Sequence, residues 1–120
     1  MSVTDRPVGD VVVLDVTGEM IHNKEYGSVK RRVGALLDRG HLNLLLNLTQ
    51  VPYMNSWGVG ELASSFIRVR NRHGQLKVAA AQSRVTRMLE ISKLDTAIEV
   101  FDNEAEALHS FEAAKHDGTG

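Results

Sequence analysis

The chain has 120 residues, 42% hydrophobic and 24% charged, with 14 Lys and Arg against 15 Asp and Glu, no cysteine and a formal net charge of −1. That size holds one domain around one core, and so even a charge balance supplies no general field for nucleic acid or anionic lipid. The lack of cysteine removes disulfides, thiolate zinc sites and thiol nucleophiles together, which suits a reducing cytosol. The N-terminus, Met1-Ser2-Val3-Thr4-Asp5-Arg6, lacks the basic-then-apolar order of a signal peptide. No apolar run nears the roughly 20 residues that span a bilayer, so a soluble, cytoplasmic protein without membrane insertion is expected.

Residues 2–8 are poorly patterned and predict an antiparallel edge at most. Val11 to Thr17 is dense in β-branched residues and breaks at Gly18, the pattern of a strand followed by a turn. From Asn23, an N-cap residue type, Tyr26, Val29, Val33, Leu36 and Leu37 recur at helical spacing, and Gly40 stands where a left-handed C-cap is wanted. Leu42 to Leu48 is apolar except for Asn43 and Asn47, which predicts a central strand buried on both faces. After a loop over Thr49 to Asn55, the positions Val59, Leu62, Ala63, Phe66, Ile67 and Val69 mark a second helix that stops at His73-Gly74.

Leu76 to Ala81 predicts another strand, Ser83 caps a short helix carrying Val85, Met88 and Leu89, and Ala97 to Phe101 predicts a further strand. Asn103 with Glu106 three residues on has the form of a capping box, opening a last helix with Ala107, Leu108 and Phe111 inward. A domain over 1–112 and a flexible tail over 113–120 are expected. Strands alternating with helices over short connections mean parallel strands joined by right-handed crossovers. The fold class is α/β, a single mixed, mostly parallel sheet packed with about four helices.

The most informative segment runs from Asn47 to Leu62, where a buried strand passes through a loop into a helix. Either Asn55 or Ser56 is placed to be the N-cap, which sets the Ser56 hydroxyl beside free backbone N–H groups and the positive end of the helix dipole. Gly58 and Gly60 in the first turn cost about 1 kcal/mol each in helix propensity relative to Ala, which points to close approach of another backbone or of a partner surface. On these arguments alone, a Ser56 that only caps and glycines that only relieve packing form the simpler reading.

The segment Val51-Pro52-Tyr53-Met54-Asn55-Ser56-Trp57-Gly58-Val59-Gly60 resembles the signature of the STAS family: an apolar residue, Asp, Ser, Ser or Thr, Gly, a branched residue and Gly. The resemblance extends to Thr17-Gly18-Glu19-Met20, to Gly74-Gln75-Leu76-Lys77-Val78 and to Ser83 through Glu90, in the family's order over about residues 8 to 111. It implies the STAS fold and an anti-sigma factor antagonist: a binding protein and not an enzyme, with no cofactor and no metal. In such antagonists the serine after the Asp is phosphorylated by an anti-sigma factor that is also a serine kinase, and by position that serine is Ser56. The unmodified protein binds the anti-sigma factor and frees the sigma factor; phosphorylation abolishes the binding. The implied partner surface is Ile21, His22, Tyr53, Met54, Asn55, Ser56, Trp57, Gly58, Val59 and Gly60.

Three positions around the switch depart from the family pattern: Asn55 replaces Asp, Trp57 replaces the second Ser or Thr, and Ile21 stands where phosphorylated members often carry Asp. Two carboxylates fewer change the local charge by two units, which bears on how a kinase and its Mg²⁺ engage. An indole in a helix's first turn is a favoured binding anchor. The alternative reading is an unphosphorylated STAS scaffold or regulatory subunit of a larger signalling or transporter assembly. The partners admitted are an anti-sigma factor serine kinase, other STAS proteins and a weak homodimer.

Other chemistries fit poorly. Gly58-Val59-Gly60-Glu61-Leu62-Ala63 satisfies G-x-G-x-x-G/A after a strand, yet the next strand brings no ribose-binding acid and the chain is too short for the two-half fold. Met54-Asn55-Ser56-Trp57-Gly58 lacks the first glycine of a nucleophile elbow. The histidines at 22, 41, 73, 109 and 116 show no metal-ligand spacing. Lys30-Arg31-Arg32 and Arg68, Arg70 and Arg72 form polar helix faces, the second group able to meet an acidic partner.

Overall fold

When each parallel strand joins its next neighbour by a right-handed crossover, every connecting helix is carried to the same face of the sheet. The computed structural model, which describes residues 1–21 and 29–119, has this arrangement. Its elements are β1 (Ser2–Val8), β2 (Val11–Thr17), α1 (Val29–Asp38), β3 (Asn43–Gln50), α2 (Ser56–Asn71), β4 (Gln75–Ala79), α3 (Ser83–Ile91), a 3-10 turn at Leu94–Thr96, β5 (Val100–Phe101) and α4 (Glu104–Thr119). The strands lie in sequence order, β1 antiparallel to β2 and the rest parallel. Helices α1, α2 and α3 share one face, and α4 covers part of the other.

The period of two along the central strands sorts their side chains between these layers. Val12, Leu14, Val16, Leu44, Leu46, Leu48, Leu76 and Val78 meet the buried faces of the three crossover helices in one cluster. Val11, Val13, Leu45 and Ala79 meet Ala107 and Phe111 of α4 in a smaller one. The expectation that β3 is buried on both faces therefore holds only at its middle. Leu45 is buried under α4, while Asn43 and Asn47, which interrupt the apolar run, fall on that same face at the margins of the helix.

At the upper margin the α4 face is closed by charge. The Arg6 guanidinium donates to Asp15 Oδ2 at 2.7 Å and also to both carboxylate oxygens of Glu104, and Asn47 Nδ2 donates to Glu104 Oε1 at 3.0 Å. The Arg6 hydrogen bond holds the Glu104 carboxyl below its usual range against the opposing pull of burial. At the lower margin Lys77, only 4% exposed, donates to Ser110 Oγ at 2.9 Å and lies 4.6 Å from the Phe111 ring centre.

Several expectations need correction. Gln82, not Ser83, precedes α3 as its cap residue, and its side chain leaves the helix end to donate to Thr49 O at 2.7 Å. The strand expected over Ala97 to Phe101 shrinks to two residues, because the 3-10 turn draws Ala97 N and Ile98 N back to Leu94 O. Asn103 does cap α4, accepting from Glu106 N at 2.8 Å. Gly40 takes the left-handed conformation at the end of α1, with φ +88°. The expected cap Asn23 and the helical position Tyr26 lie outside the described residues.

Candidate functional site

The C-terminal ends of β2 and β3 continue side by side beyond the sheet. Gly18 N donates to Gln50 O and Met20 N to Tyr53 O, each at 2.9 Å, and Met20 and Met54 form a parallel bridge. Asn55 N then donates to Met20 O at 3.3 Å. Both methionine side chains are fully buried, so the loop before α2 rests on a floor of core thioethers.

Helix α2 starts on this floor. Asn55, in extended conformation, accepts from Trp57 N at 3.0 Å and Gly58 N at 3.2 Å through Oδ1, and its carbonyl takes the first helical bond from Val59 N. Asn55 is thus the N-cap, and Ser56 is the first helical residue, exposed. Gly58 shows why the turn can sit so low: a Cβ there would lie 2.5 Å from Met20 O and 2.9 Å from Met54 Cβ. Gly60 differs, since a Cβ there would have nothing within 4 Å.

The same loop is braced from α3. The Arg84 guanidinium lies 4.5 Å from the Tyr53 ring centre, a cation–π contact beside the serine turn, and Gln82 holds Thr49. Among the described residues no group of His, Cys, Asp and Glu could hold a metal ion, and no helix is long and apolar enough to cross a membrane. The arrangement sets the Ser56 hydroxyl at the surface of a braced turn, with Arg84 against Tyr53 in the loop that precedes it.

A family model described as the STAS domain matches residues 3–107. The chain belongs to the STAS family. A curated relative, the anti-sigma F factor antagonist of Paenibacillus polymyxa, is 24% identical over 103 residues, covering 85% of this chain and 87% of its own. Among solved structures, an anti-sigma factor antagonist from Mycobacterium paratuberculosis superposes with TM-score 0.76 at 20% identity, covering 91% of this chain and 92% of its own. The Bacillus cell fate determinant SpoIIAA in its phosphorylated form does so with TM-score 0.70 at 17% identity, covering 92% and 99%. These likenesses establish the STAS fold for this chain.

On this STAS domain the expected site residues separate by depth. Ser56 and Gly60 are exposed; Ile21, Tyr53, Asn55, Trp57 and Val59 are half-buried; His22 lies outside the described residues. Met54 and Gly58 are buried. Met54 continues the core beneath the loop, and Gly58 lets α2 rest against Met20. Val59 packs against the same core. Of the free helical N–H groups expected around Ser56, Asn55 takes two, so the dipole and the Ser56 N–H itself are what the turn retains for an anion. Arg84 and Gln82 were missed, because their partners Tyr53 and Thr49 are more than thirty residues away in the chain. The third-helix resemblance, from Ser83 through Glu90, touched Arg84 alone.

Proposed function

We propose that this STAS domain is an anti-sigma factor antagonist: in the cytoplasm it binds an anti-sigma factor with serine kinase activity through the surface around Ser56, and phosphorylation of Ser56 ends that binding. The observation carrying this reading is the exposure of Ser56 at the first position of α2, over a loop locked by Met20, Met54 and Gly58. A hydroxyl so placed can be modified without disturbing the core. A partner matched to it would face a hydrated charge of roughly −1.5 to −2 after phosphorylation, and desolvating that charge weakens association far more than folding. The relative's name, anti-sigma F factor antagonist, supports the same role.

Calorimetric titration against an anti-sigma factor kinase from the same organism tests it. Ser56→Ala binds as the unmodified protein does and takes up no phosphate, Ser56→Asp binds at least about tenfold more weakly, and both melt within a few degrees of the parent. Equal affinity of the two variants, with no phosphate entering the parent from that kinase, would leave the scaffold role in its place.

A further inference from the structure

At the other end of α2 from Ser56, the chain leaving the 3-10 turn meets β4 obliquely and pairs with it only at Val78 and Ala79. The divergence leaves a wedge of about 290 Å³, lined by Phe66, Arg70, Leu76, Lys77, Ala97 and Glu99. That volume is near the lower end for small-molecule sites. On its inner side β4 pairs with β3 from Gln75 to Ala79. Its outward groups alternate: Val78 N donates to Glu99 O at 3.0 Å, so the N–H and C=O of Leu76, two residues earlier, turn toward the same side, where β5 does not reach. A donor and an acceptor therefore face the wedge.

The charges in the wedge do not cancel. Lys77 Nζ turns to the α4 side, where it meets Ser110 Oγ and lies 3.5 Å from Glu99 Oε1, so those two charges offset one another away from Arg70. Arg70 lies 5.9 Å from the Phe66 ring centre and has no ion-pair partner among the described residues. One cation is left over, beside an aromatic ring. A single unmatched guanidinium suits a monoanion, and its planar fork suits a carboxylate in particular.

We propose that this wedge binds a small monocarboxylate with a flat apolar body, its carboxylate on Arg70, its body against Phe66 and its polar edge on the Leu76 backbone. Benzoate is the probe, with benzamide as its uncharged counterpart, each titrated into the full chain and followed by amide NMR shifts. Ligands of this size bind in the millimolar range, so titration to about 20 mM suffices. Benzoate shifts the amides of Leu76, Lys77 and Glu99, benzamide binds about tenfold more weakly, and Arg70→Gln weakens benzoate about tenfold at unchanged melting temperature. Glu99→Gln, which removes the carboxylate paired with Lys77 and leaves that ammonium unmatched, strengthens benzoate binding. Absence of shifts at those amides, equal binding of benzoate and benzamide, or equal affinity of Arg70→Gln and the parent would each overturn the proposal.

Discussion

The two faces of the sheet are held by different physics. Under α1, α2 and α3 lies a continuous apolar layer that runs from Val3 to the loop methionines, whereas α4 covers only a small apolar patch bounded by Arg6 and Glu104 at one margin and Lys77 at the other. The first face carries the Ser56 loop on its core; the second is an accessory layer fastened at its edges. Rigidity at the candidate site should therefore depend on the first face and be nearly indifferent to the second.

The sharpest contrast uses two adjacent leucines of β3, both fully buried, one per face. Leu46→Ala should cost about 3–4 kcal/mol, since a cavity between packed helices and sheet closes poorly, and Leu45→Ala about 2 kcal/mol, since the apolar patch under α4 is small and lies near solvent at its margins. Urea unfolding of both variants measures this, and equal costs would break the comparison. Gly58→Ala comes next. A Cβ driven into the Met20 carbonyl should cost about 1–3 kcal/mol and weaken partner binding with it, because the turn must lift from its floor. Full stability, or partner affinity kept, would show that the floor does not fix Ser56.

The smallest effect is expected at the charged margin. Glu104, folded with its carboxyl below the ordinary value of 4.5, stabilises the protein above that pH and loses the contribution as pH falls through its lowered value. Glu104→Gln should therefore cost less than about 1 kcal/mol at neutral pH, given the partial exposure of the pair. The gap to the parent should narrow in acid. A gap that widens below pH 4.5 would reverse the assigned sign.

What was legible in the sequence follows the same division. Local signals located β2, the middle of β3, the Asn55 or Ser56 cap and the left-handed Gly40, because each depends on neighbours a few residues away. The antiparallel edge of β1 and the order of elements were also legible from alternation and chain connectivity. Depth was not: Met54 and Gly58 sit in the signature beside exposed Ser56, and nothing in the string tells a contact residue from the residue supporting it. Long-range polar contacts were equally hidden. Arg84 on Tyr53, Gln82 on Thr49 and buried Lys77 under α4 all rest on crossings of the chain that residue spacing does not encode.

Gly60 carries a consequence of its own. It is helical, exposed and free of close neighbours, so alanine would fit and would strengthen α2 by roughly 0.5–1 kcal/mol. A chain selected for endurance alone would take that substitution. Under the proposed function, Gly60 keeps the surface one turn from Ser56 free of a side chain where the partner would dock. On that reading, the substitution that makes a hardier variant is therefore one that also alters the surface offered to the partner.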